Sequence, residues 1–236
     1  MWKALIIILI VPFTSLAQDS SCQCDTTYIN YHPKSDFAID NWGNWKDTLN
    51  NWLKENDPKS VKILEISWFG ALPKEFKRFI NVEILIIQNS GGKVLNLDYF
   101  PNLKSLFIEE SRVKFSKRSG LQHIRNLYAN KSEVIGIKSF SYLPQLRTVY
   151  MTYSGFDKFP TKFEELNMLC SFVTGATTFG QIDLNLLDLQ LNKCLENAQF
   201  HTWNNNIKGI PRNFHNLKSI KIEHPNLTEE EKEKLK

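Results

Sequence analysis

The chain has 236 residues, of which 23% are charged, and a formal net charge of +4 at pH 7. It is long enough to bury a sizeable core as one elongated domain, and no Pro/Gly-rich linker divides it. The balance is too weakly basic, with no clustered basic face, for a nucleic-acid-binding protein.

Taken in order, residues 1–17 read as a secretory signal peptide, with Lys3 as the charged start, Ala4 to Val11 as the apolar run and Ser15-Leu16-Ala17 before the cut. The run is too short to cross a bilayer, which takes roughly 20 apolar residues. The expected mature chain begins at Gln18, has no transmembrane segment, and is secreted, periplasmic or held at the cell surface. A lipid anchor at Cys22 is disfavoured by Asp19 three residues before it, where an apolar residue belongs. Residues 18–60 form a polar leader followed by a helical cap. Asp40 is the expected start of that helix, Trp42, Trp45, Leu49, Trp52 and Leu53 recur along it at helical spacing, and Asp57-Pro58 ends it.

From Val61 to the C-terminus one pattern recurs. In Leu146–Phe159 the apolar positions fall as L-x-x-V-x-M-x-x-S-x-F-x-x-F, and the same template fits Val82-Leu85-Ile87-Ser90, Leu103-Leu106-Ile108-Ser111 and Ile124-Leu127-Ala129-Ser132. The units start at 61, 82, 103, 124, 146, 169, 197 and 217. A period of roughly 20–29 residues with this spacing resembles the leucine-rich repeat family. The ninth position, where that family carries Asn or Cys, reads Phe69, Ser90, Ser111, Ser132, Ser154, Thr177, Asn205 and Pro225. A serine or threonine hydroxyl there can bond the backbone of the turn leaving each strand.

The resemblance implies an α/β horseshoe solenoid over residues 61–236, with parallel strands on the concave face and caps at both ends. The sixth unit has a lengthened, leucine-rich return segment, expected to be a helix on the convex side. The seventh fits two registers, from Asn197 or from Leu195, and the first aligns Ile207 best. Thr228-Glu229-Glu230-Glu231 is a capping box that opens a terminal helix.

Four cysteines in an exported chain are free to pair. Cys170 and Cys194, near the starts of the sixth and seventh strands, are the expected disulfide, whereas Cys22 and Cys24 are too close for an unstrained ring and too few for a zinc site. No nucleophile-elbow, zinc-protease or phosphate-loop motif is present, so neither catalysis nor a cofactor is expected. Cys170 and His201 lie one coil apart, but a motif-free pair is weak evidence for a nucleophile and base.

The outward strand positions carry the functional expectation. Trp68, Phe107, Glu109, Tyr128, Lys131, Arg147, Tyr150, Tyr153, His201 and Trp203 fall on the concave wall. Phe107, Tyr128, Tyr150 and Tyr153 would cluster on neighbouring coils, ringed by Arg125, Lys131 and Arg147 on one side and Glu109 and Glu110 on the other. Aromatics with a charged rim are the make-up of an interface. The expected function is non-enzymatic recognition of a protein at a cell surface or in the envelope; a second reading has these aromatics as stacking platforms for a carbohydrate. The competing expectation is that the tyrosines pack edge to edge and only stabilise the sheet.

Overall fold

The computed structural model describes residues 22, 24, 33–41, 43–115, 120–176, 181–203 and 207–235; the expected signal peptide of residues 1–17, Trp42, Thr177 and Asn205 lie outside them. The elements run, in order, β1 (Phe37–Asp40), α1 (Trp45–Glu55), β2 (Ile63–Ser67), β3 (Ile84–Gln88), β4 (Gly91–Val94), β5 (Ser105–Glu109) and β6 (Arg112–Lys114). They continue with β7 (Asn126–Asn130), β8 (Glu133–Ile135), β9 (Thr148–Thr152), β10 (Gly155–Phe156), β11 (Ser171–Gly175) and β12 (Ile182–Asp183). The last are β13 (Asn197–His201), β14 (Ile207–Lys208), β15 (Ser219–Glu223) and α2 (Glu229–Lys234).

One strand per coil builds a nine-stranded parallel sheet in the order β1-β2-β3-β5-β7-β9-β11-β13-β15. A second parallel sheet, β10-β8-β6-β4, forms where each middle coil turns away from the first, and β12 pairs with β14. The return segments are short 3-10 turns, such as Leu97–Tyr99 and Phe140–Tyr142, whose N–H groups are capped by Asn96 and Ser139.

Within each strand the pattern is Leu/Ile/Val inward at the fourth and sixth repeat positions: Leu85 and Ile87, Leu106 and Ile108, Val149 and Met151 are all buried. Since no coil has an interior of its own, each buries these side chains against its neighbours. Phenylalanines fill the interior of the later coils, where Phe163 meets Phe172 at 5.2 Å between ring centroids and Phe172 meets Phe200 at 5.3 Å.

The serine column ties the coils together. Phe69 N–H donates to Ser90 Oγ (3.1 Å), Ser90 N–H to Ser111 Oγ (2.9 Å), Ser111 N–H to Ser132 Oγ (3.1 Å) and Ser132 N–H to Ser154 Oγ (2.9 Å). Each hydroxyl then donates to the carbonyl two residues before it, as Ser111 does to Glu109 at 2.6 Å and Ser132 to Asn130 at 2.7 Å.

At the first coil, α1 lays Leu49, Trp45 and Trp52 against the core: Trp45 packs on Phe69 at 5.7 Å, and Trp52 on Phe37 at 4.4 Å. The helix starts later than expected. Asp40 does not cap it; Asp40 ends β1, whose Phe37 and Ile39 point inward in register with Leu64 and Ile66. At the other end Thr228 and Glu231 form the reciprocal capping box of α2, at 3.2 and 2.9 Å.

Three further expectations are corrected. The return of the sixth coil is not a helix but two 3-10 turns, Leu184–Leu186 and Leu189–Leu191, because Asp183 and Asp188 each accept the N–H two residues on and reset the chain. The seventh coil takes the Leu195 register, with Phe172 opposite Ala198 and Thr174 opposite Phe200. That register buries Leu195, Ala198 and Phe200 together.

The cysteine pairing also differs: the bonds are Cys22–Cys194 and Cys24–Cys170. In the parallel register it is Glu196 and Asn197 whose N–H groups meet the Cys170 carbonyl. Cys194 is thus offset by about two residues, and with strands ~4.8 Å apart and a rise of ~3.3 Å per residue the two Cα atoms are roughly 8 Å apart. A disulfide spans at most about 7 Å. Residues 22 and 24 are thereby tied to coils six and seven, while β1 and α1 sit on coil one.

Two outcomes are expected. Unreduced peptide mapping should yield Cys22–Cys194 and Cys24–Cys170, and a linked Cys170–Cys194 peptide would refute the arrangement; reduction should cost about 4–5 kcal/mol for the first of these closures, each spanning more than 100 residues in sequence. Ser132→Ala leaves the buried Ser111 N–H without its acceptor and should cost about 1–3 kcal/mol in urea unfolding, whereas Ser219→Ala, at an exposed position, should be nearly neutral.

Candidate functional site

The concave wall has three rows. The middle row, fixed by the strand register, is Glu65, Ile86, Phe107, Tyr128, Tyr150, Val173, Gln199 and Lys221. His201 therefore stands at the strand end opposite Glu223, not in the middle row.

Most of the expected aromatic cluster is not a free surface. Ile86, Phe107 and Tyr128 are 0%, 6% and 7% exposed and form a second small core, packed against Ile63, Ile84 and the half-buried Tyr150. The rings of Phe107 and Tyr128 stack at 4.5 Å with only 11° between their planes. The cause is the parallel register, which sets equivalent side chains one strand spacing apart, close to the distance at which rings stack. For Phe107 and Tyr128 the expectation of exposure is thus overturned in favour of cross-strand packing.

The exposed aromatics lie on the rim where the strands end. The strands β2, β3, β5, β7, β9 and β11 each leave through one residue of positive φ: Trp68 (64°), Asn89 (47°), Glu110 (45°), Lys131 (47°), Tyr153 (48°) and Ala176 (51°). This conformation is uncommon for residues other than Gly and Asn, and here the coil imposes it at six successive strand ends. It turns these side chains outward, so Trp68 is 47% and Tyr153 57% exposed. Trp203, two strands on, is 68% exposed and meets Tyr153 edge to face at 6.1 Å. His201 meets Trp203 in the same manner at 5.9 Å. Its Nδ1 accepts from Ala176 N–H (3.4 Å) and lies 3.8 Å from Glu223 Oε2.

Charged groups border this aromatic pair. Lys131 Nζ donates to Glu110 Oε1 at 2.9 Å, and that hydrogen bond holds the ammonium pKa above its ordinary value. Glu109 accepts from Gln88 Nε2 at 3.3 Å. Arg147 is on the other rim, where the strands begin, in line with Lys104 and Arg125. Cys170 is bonded to Cys24 and offers no thiol to His201. Among the described residues no three His, Cys, Asp or Glu side chains converge as a metal site, and no helix is long and apolar enough to cross a membrane.

No family model matches the sequence, and no curated protein does. Among solved structures, a leucine-rich repeat protein of Leptospira interrogans superposes with a TM-score of 0.51 at 16% identity, over 72% of this chain and 50% of that one. The chain has the leucine-rich repeat fold. It spans half the length of that Leptospira protein, and the likeness extends to the fold and no further. The repeat coils put Tyr153, His201 and Trp203 together on the strand-end rim, Phe107 and Tyr128 in the concave floor, and Arg147 on the strand-start rim.

The two aromatic settings respond differently to truncation. Tyr128→Ala should cost about 3 kcal/mol by emptying the stacked floor, whereas Tyr153→Ala should stay within about 0.5 kcal/mol. Chemical denaturation of both variants checks this, and equal stabilities would refute the division of floor from rim.

Proposed function

We propose that this is an exported, non-enzymatic recognition protein that binds a protein partner with its concave wall, centred on the strand-end rim. The observation that carries the reading is the exposed contact of Tyr153 with Trp203. Two large rings held at an angle on a rigid sheet, bordered by His201, Lys131 and Glu110, have the composition of an interface hot spot. A monomer seldom leaves such a group in water without a partner, and stacked repeats offer an extended concave surface for one. Two disulfides suit an oxidising compartment, in keeping with the signal peptide read in residues 1–17. The edge-to-face angle of 70° between the rings presents no shared flat platform for a sugar face, which favours protein over glycan.

The test is crosslinking to surface extract, identification of the captured protein by mass spectrometry, and titration of the purified partner. Trp203→Ala is expected to weaken binding by about 2 kcal/mol or more, as for a hot spot, with an unchanged melting temperature. Unaltered affinity in Trp203→Ala and Tyr153→Ala together would move the site off this rim, and capture by glycans alone would replace the protein partner with a carbohydrate.

A further inference from the structure

The two ends of the solenoid are closed unequally. At the first coil, under β1 and α1, Leu49, Val61 and Leu64 are buried. At the last coil α2 buries none of its own residues, and Leu217, Ile220, Leu227 and Leu235 pack on the core yet stay half-buried. Leu217 and Ile220 hold the first and fourth repeat positions, which are buried in every other coil, as Leu195 and Ala198 are in the coil beside them.

The last strand also has an open edge. Successive residues of a strand direct their N–H and C=O groups to opposite sides. Ser219 N–H donates to Glu196 O at 3.2 Å and Glu223 O accepts from Thr202 N–H at 2.9 Å, so the backbone groups of Ser219, Lys221 and Glu223 face β13. Those of Ile220 and Ile222 therefore face away from it, and among the described residues β13 is the only strand paired with β15. An open edge of this kind is a template for a further strand. On the concave face of β15, Lys221 Nζ lies 3.2 Å from Glu223 Oε1, with both side chains about half exposed.

We propose that the C-terminal coil is a dimer interface, in which β15 pairs with β15 of a second copy, antiparallel about a two-fold axis at Ile222. The charges beside that residue select the second copy as occupant and set the register. Centred on Ile222, the two Ile222 residues exchange N–H···O bonds, and each Lys221 stands opposite Glu223 of the other copy. Opposite charges at such a pair are stabilising. Centred one residue earlier, Lys221 would meet its own counterpart, and like charges directly opposite are destabilising. The two-fold axis repeats the Lys–Glu pair, so four charges alternate across the seam and cancel. Ile222 points inward in each copy, so the joined strands keep their apolar side chains on the core face. The second copy also offers cover to the half-buried Leu217 and Ile220.

The experiment is analytical ultracentrifugation of the full disulfide-bonded chain over a range of concentrations, with the melting temperature of every variant measured beside it. The wild type should show a reversible monomer–dimer equilibrium, and its Ile222 amide should exchange hydrogen more slowly in the dimer. Lys221→Glu and Glu223→Lys each set like charges opposite one another twice, and each should weaken dimerisation roughly tenfold or more at an unchanged melting temperature. The double variant Lys221→Glu/Glu223→Lys restores opposite charges and should dimerise as the wild type does. Mixing the two single variants should give heterodimers, since one chain then supplies two glutamates and the other two lysines. A wild type that stays monomeric would overturn the proposal, as would association that runs on past the dimer by head-to-tail stacking. Undiminished dimerisation by Lys221→Glu, or a folded double variant that remains monomeric, would do the same. The interface uses neither Tyr153 nor Trp203, so it and the strand-end rim fail separately.

Discussion

The structure depends on one hydrogen bond, repeated. Where β2, β3, β5 and β7 end, the backbone turns sharply through a residue of positive φ, and the next main-chain N–H points along the stack into a place closed to water. An unpartnered amide there would cost about 1–3 kcal/mol. The serine of the following coil supplies the acceptor, and by donating its own proton to the carbonyl two residues earlier it uses both its hydrogen-bonding roles. Asparagine spans the same gap with a longer side chain. Serine fits because its oxygen, one bond from Cβ, reaches both groups, and Ser90, Ser111, Ser132 and Ser154 are all buried. A second, exposed tie runs between returns, from Asn81 Nδ2 to Lys59 O and from Asn102 Nδ2 to Ile80 O.

This coil-to-coil bonding fixes the register, and the register fixes everything on the wall. Equivalent residues stand one strand spacing apart, so a column of apolar side chains becomes a stacked layer and a column of charges becomes a row. It also explains the treatment of the ends. The first coil has no predecessor, and β1 with α1 covers it with Phe37, Leu49, Trp45 and Trp52. Coils six and seven lack the serine, and there Cys170 and Cys194 hold Cys24 and Cys22 covalently.

How much of this was legible in the residues follows from the range of the interactions. The repeat period, the inward Leu/Ile positions and the serine column recur at fixed spacing, and one sequence displays them directly. The four residues of β1 were not legible, since Phe-Ala-Ile-Asp is too short for alternation to stand out beside the tryptophan stripe that follows. The seventh register turned on whether Ile207 or the trio Leu195, Ala198 and Phe200 aligned with the core, and packing against Phe172 decided it. The disulfides were beyond reach, because pairing Cys22 with Cys194 needs a contact across 172 residues that no local pattern carries. For the candidate site, period told which side chains face outward. It could not tell which of them remain exposed.

That last distinction carries the functional argument. Phe107 and Tyr153 are both outward aromatics on the same wall, yet one is buried and the other mostly in solvent. Their rows differ: a middle-row ring has a neighbour on each side at stacking distance, whereas a rim ring leaves through a positive-φ turn that tilts it away from the coils beside it. Tyr153 meets Trp203 from two strands away, across the strand that ends in Gly175 and Ala176. The wall thus keeps its apolar floor for stability and presents chemistry at its two edges, aromatic where the strands end and cationic where they begin.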